Sequence, residues 1–270
     1  MIVAVGLTAF VLWKADPQSV AAAAAGADPR WIAAAIVLVI FDRLLMALRW
    51  VILLRALDSP HPPPLGQVLR IFFVSTFVGT FLPSVGGDVY RAYSLARHGV
   101  SGAQSAASVA MDRLLGVLSL LVVAVIGLPF AGRVAAEPVI LWTMGFTVTG
   151  CAVGALTVFS TRAARAAHAI NARLQSGSLQ RMSARLIDAV ARYKHHRGDL
   201  ASVLALSIGV QGIRIAQAWF LGLSLAIAAP ASAYVAFVPI ILLIMLLPIT
   251  VYGLGTSQFA FDSLFALVGV

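Results

Sequence analysis

The chain has 270 residues, of which 61% are hydrophobic and only 11% charged, with a net charge of +9. Soluble domains are about 25% charged and 45–50% apolar, so a water-soluble fold of this length could not hide so much apolar surface, and a soluble enzyme is excluded. The apolar runs are continuous and rich in Ala, Leu and Val rather than alternating with period two. That pattern selects spanning helices over a β-barrel. The single cysteine, Cys151, cannot form an intrachain disulfide. No Cys/His pattern offers metal ligands, and His195-His196 reads as a solvated pair. No metal site and no cofactor are expected.

In chain order, residues 1–13 are apolar but lack the basic start and small-residue cleavage site of a signal peptide. Thirteen helical residues rise only about 20 Å, so this segment is expected to be completed upstream. Asp16-Pro17 and Asp28-Pro29 bracket a first loop. The next apolar segments are 31–57, 67–82, 104–130, 138–160, 200–229, 233–250 and 256–270. Between the first two, Pro60, Pro62, Pro63 and Pro64 make a stiff non-helical connector. Residues 161–199 are the one long polar stretch, and eight of the nineteen Lys/Arg fall between Arg162 and Arg197. In a membrane chain such a cluster follows the positive-inside rule and does not imply nucleic acid. Leu174, Leu179, Met182, Leu186, Ile187 and Val190 recur there at helical spacing. They fit either an amphipathic helix on the membrane surface or a solvated basic cytoplasmic loop.

Placing 161–199 in the cytoplasm fixes the crossings. Segments 138–160 and 104–130 then put 84–103 inside, while Arg49 and Arg55 also draw the end of 31–57 inside. Both ends of 67–82 therefore lie on one side, which a simple span cannot satisfy. Sixteen residues fall just short of the usual 17–25, and Pro83 and Gly86-Gly87 interrupt the run at once. Residues 67–98 therefore read as a re-entrant hairpin of two half-helices that enter from the cytoplasm and return. The chain's end repeats the design, with Leu247-Pro248 followed by Gly253 and Gly255 and then Gln258, entered from the opposite face. Paired short segments broken by Gly and Pro are the best sequence pointer to a transport site. The expected fold is thus all-α: a single polytopic transmembrane domain over 1–270, with two re-entrant hairpins of opposite orientation hinged at Pro83, Gly86, Gly87, Pro248, Gly253 and Gly255.

Charges in hydrocarbon cost about 2.5–3.5 kcal/mol or more each, so those that persist need partners, water or a function. Asp112 and Arg113 are neighbours and point about 100° apart, as do Asp42 and Arg43, so each needs a partner elsewhere. Asp88 and Arg91, at i,i+3, can touch. Ser207, Gln211, Arg214 and Gln217 form one polar stripe. Helices opening after Gly86-Gly87 and after Gly255 would present free N–H donors and a partial positive charge, which suit phosphate. The cluster can serve as an anionic head-group site, or as a lock fixing the hairpin to its neighbours, or as both.

Leu-Pro-Ser-Val-Gly-Gly-Asp-Val-Tyr-Arg (82–91), Ala-Ser-Val-Ala-Met-Asp-Arg-Leu (107–114), Ala-Leu-Arg-Trp (47–50) and Leu-Pro-Ile-Thr-Val-Tyr-Gly-Leu-Gly-Thr-Ser-Gln (247–258) together resemble the flippase-like membrane region of lysylphosphatidylglycerol synthases, from about residue 31 onward. The resemblance implies a polytopic protein that moves lipids across the cytoplasmic membrane, in a family whose members are linked to aminoacylated phospholipids, polyprenyl-phosphate sugars and hopanoids. It places Arg49, Pro83, Gly87, Asp88, Arg91, Arg113, Gly253 and Gly255 at motif positions. An acidic residue is usual where Gln258 stands. The soluble aminoacyl-transfer domain of the full synthases has no counterpart in this sequence, so lysine transfer is not implied.

The reading is a multi-pass lipid flippase or transporter of the inner membrane, not an enzyme. An anionic head group would enter a polar cavity formed by the two hairpins. Arg49, Asp88, Arg91, Asp112, Arg113, Gln211, Arg214 and Gln258 are the expected substrate-binding residues, with membrane lipids as partners. An intramembrane lipid-modifying enzyme and an accessory scaffold for a lipid-synthesis enzyme are the alternatives.

Overall fold

A computed structural model describes residues 17–57, 63–81, 86–132, 138–171, 177–246 and 256–269. Among these the chain is all-helical, without a strand. The helices are α1 (Pro17–Ala25), α2 (Pro29–Arg55), α3 (Leu65–Phe81), α4 (Gly86–Ala96), α5 (Gly102–Gly127), α6 (Pro138–Phe159), α7 (Thr161–Asn171), α8 (Gly177–Arg192), α9 (Arg197–Ser224), α10 (Ala231–Leu246) and α11 (Thr256–Phe265). Short 3₁₀ turns follow α5, α8 and α11. The expected hinges Pro83, Pro248, Gly253 and Gly255, and the segment 1–13, lie outside the described residues.

The starts of these helices are written locally. Pro29 occupies the first turn of α2, where its missing N–H costs nothing, and the Asp28 carboxylate accepts the Arg30 N–H at 2.9 Å. Ser101 caps α5: its Oγ accepts the Gln104 N–H at 3.2 Å and donates to Gln104 Oε1 at 3.1 Å, the usual role of a serine at a helix start. One expectation is corrected here. The stretch bracketed by Asp16-Pro17 and Asp28-Pro29 is not only loop, because residues 17–25 form α1. Pro17 sits where a helix tolerates proline, and the five alanines after Val20 are the strongest helix formers.

Among the described residues, three segments are long and apolar enough to cross a membrane: α2, Gly102–Phe130 and α9. The surface agrees with a lipid setting. Trp142, Phe146 and Phe77 are 78%, 73% and 67% exposed, a disposition that water would penalise.

The chain divides into two compact units. The first comprises 1–45, 119–147 and 208–270; the second comprises 46–118 and 148–207. In the first unit, α10 and α11 form an antiparallel helical hairpin: Tyr234, tilted, and Phe237, edge-on, pack against Phe265 with ring centroids 4.9 and 5.6 Å apart, beside buried Ile240, Ile241 and Ala260. The end of α5 lies flush on α10, and a Cβ at Gly127 would stand 2.6 Å from the Val235 carbonyl oxygen.

In the second unit, α3 and α4 form the counterpart hairpin. The two helices meet at glycines: a Cβ on Gly87 would lie 2.7 Å from the Ser75 carbonyl oxygen and 3.0 Å from the Gly79 Cα. At the open end of the hairpin, Val68, Ile71, Phe72 and Leu95 close around the fully buried Trp50 of α2. A second apolar cluster joins Leu53 of α2 and Leu57 just beyond it, Met111 of α5 and Val203 of α9.

Helix α8 packs on that second cluster through Leu186, Ala189 and Val190, with Tyr193 just beyond it wholly buried. The apolar stripe over 179–190 is therefore spent in part on the protein's own core. The opposite face of α8 carries Arg181, Arg185, Asp188 and Arg192, all exposed.

Candidate functional site

The second unit gathers five of the expected site residues. Arg49 projects from α2, Asp88 and Arg91 from α4, and Asp112 and Arg113 from α5. Asp112 and Arg113 diverge as neighbours on a helix must. Asp112 turns inward, accepting from Arg49 Nη2 at 2.9 Å on Oδ1 and from Arg91 Nη2 at 3.1 Å on Oδ2. Arg49 Nη2 also reaches the Asp112 carbonyl at 3.0 Å. Arg113 turns the other way, and its Nε donates to Asp88 Oδ2 at 2.5 Å. Asp88 Oδ1 lies 3.5 Å from Arg91 Nη2, so the i,i+3 pair does meet.

The result is a chain of alternating charge, Arg49–Asp112–Arg91–Asp88–Arg113, with one more cation than anion. It is graded in exposure: the side chains of Arg49, Asp112 and Arg91 are 3–7% exposed, that of Asp88 is 18% and that of Arg113 is 54%. The buried members pair with each other, and Arg91 also rests against aromatic faces. The Arg91 guanidinium lies over Trp50 at 4.9 Å from the ring centroid and over Phe72 at 6.0 Å, a favourable cation–π arrangement. Trp50 is held in turn by its Nε1–H to Ser108 Oγ, 3.2 Å. Gly116 clears room for Arg49, since a Cβ there would stand 3.3 Å from Nη2.

Asp88 occupies the first turn of α4, directly after Gly86-Gly87. A carboxylate there is favoured by the helix's positive end, so Asp88 is held by the helix start as well as by two arginines.

Tyr193 ties the basic region to this network. It is fully buried, and its hydroxyl donates to the Leu53 carbonyl at 3.0 Å. Burial, with the Asp112 carboxylate adding to it, holds the phenol well above its ordinary range. The folded form thus needs this proton, and its contribution is complete below pH ~10, the usual tyrosine value, and is lost as pH rises beyond it. Docking of α8, read by hydrogen exchange, is expected to weaken by about 1.4 kcal/mol per pH unit above pH ~10. Tyr193→Phe is expected to remove that slope while costing about 1 kcal/mol at neutral pH. An unchanged slope in the variant would show that another group titrates.

The remaining expected residues belong to the first unit. Arg214 Nε donates to Asp42 Oδ1 at 3.0 Å, and Gln211 Nε2 donates to Ser119 Oγ at 3.3 Å. Asp42, on α2, is buried. Arg43 Nε also comes within 3.6 Å of Asp42 Oδ2, so sequence neighbours that leave the helix in different directions still meet, because the arginine side chain is long enough to turn back. Gln258 is exposed on the first turn of α11 and accepts from Ser257 Oγ at 2.8 Å. Among the described residues no group of His, Cys, Asp and Glu is arranged to hold a metal ion.

Long apolar helices, apolar side chains turned outward and ionised groups buried against one another define a polytopic helical membrane protein. The family model for the lysylphosphatidylglycerol synthase TM region matches residues 1–270, and the chain belongs to that family. Membership points to a membrane-lipid role. Comparison with curated proteins and with solved structures finds no match.

Proposed function

We propose that this protein is a lipid flippase or transporter that moves an anionic, phosphate-bearing lipid or glycolipid across the cytoplasmic membrane, with no chemical step of its own. The observation that carries the reading is the graded charge chain of the second unit. Its surplus positive charge emerges at Arg113, while Arg49 and Arg91 are committed to Asp112. A phosphate reaching Arg113 competes with Asp88 for the guanidinium, whose planar fork suits phosphate oxygens. Asp88, displaced, moves fully onto Arg91 3.5 Å away. Arg49, Asp112 and Arg91 then act as the frame that positions the exchanging pair. The acyl tails stay in lipid against exposed apolar side chains of α3 such as Phe73 and Phe77.

Helix lengths support a re-entrant hairpin. By rise per residue α3 covers about 26 Å and α4 about 17 Å, and a helix as short as α4 does not cross the ~30 Å of hydrocarbon. Charge supports an orientation. Eight of the nineteen Lys/Arg fall between Arg162 and Arg197, so positive-inside assigns the 161–199 stretch to the cytoplasm. With that stretch inside, the order of crossings along the sequence has the second Leu-Pro hairpin enter from the opposite face. Single cysteines at Ser84 and Thr250, in a Cys151→Ser background, are expected to react with impermeant reagents from opposite sides. Reaction of both from one side would remove the inverted pair.

The activity is tested in proteoliposomes carrying fluorescent phosphatidylglycerol or phosphatidylcholine. Faster movement of the anionic lipid than of the zwitterionic one is expected. Equal rates, or none above protein-free vesicles, would overturn the assignment.

A further inference from the structure

The basic stretch between α6 and α9 is not used by the charge chain, yet its surface is organised. Helices α7 and α8 pack as a hairpin: Asn171 Nδ2 donates to the Gln180 carbonyl at 2.8 Å, Ser183 Oγ bonds to Asn171 Oδ1, and His168 meets Asp188 at 3.1 Å. Because Leu186, Ala189, Val190 and Tyr193 are held in the core of the second unit, the opposite face of α8 is fixed in direction. That face carries Arg181, Arg185 and Arg192 at i, i+4 and i+11, with Asp188 as its one acidic residue. Arg162 and Arg165 of α7 are exposed as well. We propose that this arginine face is a docking surface for anionic phospholipid head groups of the adjoining leaflet, separate from the Asp88–Arg113 pair.

Three observations select a lipid surface as the occupant. First, both ends of the hairpin are tied closely to apolar helices. Only Ser160 separates the end of α6 from the start of α7 at Thr161, and only His196 separates the turn that follows α8 from the start of α9. Helix α8 also packs on Leu57, just past the end of α2, and on Val203, in the second turn of α9, so its arginines lie near the ends of the apolar helices, where such charges are attracted to an anionic leaflet. Second, seven of the eight cations from Arg162 to Arg197 are arginine and only Lys194 is lysine; the guanidinium fork pairs with phosphate bidentately. Third, Met182 sits one turn from Arg185 and is 63% exposed. An apolar side chain beside a cationic stripe is what an interfacial helix offers the boundary between head groups and acyl chains. An acidic soluble partner would match the charge but would leave Met182 without a role.

The proposal is read by binding, so it stands or falls independently of transport. The full chain, as Cys151→Ser/Met182→Cys labelled with an environment-sensitive fluorophore, is placed in nanodiscs of phosphatidylcholine alone or with 30% phosphatidylglycerol. Quenching by acrylamide, which is neutral, reports access from water. The expected result is at least threefold weaker quenching in the anionic discs. The difference should vanish in 0.5 M NaCl and in the Arg181→Gln/Arg185→Gln/Arg192→Gln variant. The salt arm needs no further substitution, so it stands even if that variant folds poorly. Equal quenching in the two lipids would overturn the proposal, as would protection that appears only when a polyglutamate peptide is added.

Discussion

Asp112→Ala is expected to leave little folded protein. This one carboxylate accepts from two arginines whose side chains are 3% and 6% exposed. Its loss strands Arg49 without the ion pair that faces it and leaves Arg91 with Asp88 at 3.5 Å. Breaking one buried ion pair from one side costs about 3–5 kcal/mol, and here a single atom group serves two. Marginal folds have about 5–15 kcal/mol in hand, so the variant is expected to lose its monodisperse peak in size-exclusion chromatography or to melt far below wild type. Replacing the whole buried trio by apolar residues (Arg49→Met/Asp112→Leu/Arg91→Met) removes the stranded charge and is expected to recover most of the stability. Wild-type melting of Asp112→Ala would mean that the buried arginines are compensated by something other than this carboxylate.

The second large effect is a reversal of sign between two glycines of one hairpin. Alanine is favoured over glycine inside a helix by up to about 1 kcal/mol. At Gly66 nothing lies within 4 Å of an added Cβ, so Gly66→Ala is expected to be neutral or stabilising. At Gly87 the same atom would stand 2.7 Å from the Ser75 carbonyl oxygen and 3.0 Å from the Gly79 Cα. Both are backbone atoms that cannot swing aside, and forcing helices apart costs typically about 1–3 kcal/mol, more than the propensity gain. Gly87→Ala is expected to lower the melting temperature and to spread α3 from α4, carrying Asp88 off Arg113. Two melting curves suffice, and a Gly87→Ala protein as stable as Gly66→Ala would contradict the close crossing.

The helix layout was largely written in local signals. Apolar runs bounded by Pro and Gly gave boundaries within a few residues for α2, α3, α5 and α6, because a membrane helix must be both continuous and apolar. Helix α1 escaped because the same prolines that end a helix also start one, and only the alanines after Pro17 tell which. In the site, helical geometry was enough to send Asp112 and Arg113 to different partners, and the i,i+3 spacing was enough to pair Asp88 with Arg91. What no spacing encodes is which helix supplies the partner. Arg214 finds Asp42 across 172 positions, and Trp50 receives Arg91 on its face although nothing but its place beside Arg49 marked it. The grading of exposure along the charge chain was equally invisible, since its three arginines look alike in sequence. Packing is what separates the framing arginines from the one an anion can reach.

The central claim is that the exposed Arg113 end of the chain, rather than its buried core, meets the lipid. Arg113→Gln removes that guanidinium while leaving Arg49, Asp112 and Arg91 paired. In proteoliposomes the account predicts unchanged melting, with movement of fluorescent phosphatidylglycerol reduced at least tenfold relative to wild type. A well-folded Arg113→Gln protein that moves the anionic lipid at the wild-type rate would contradict it.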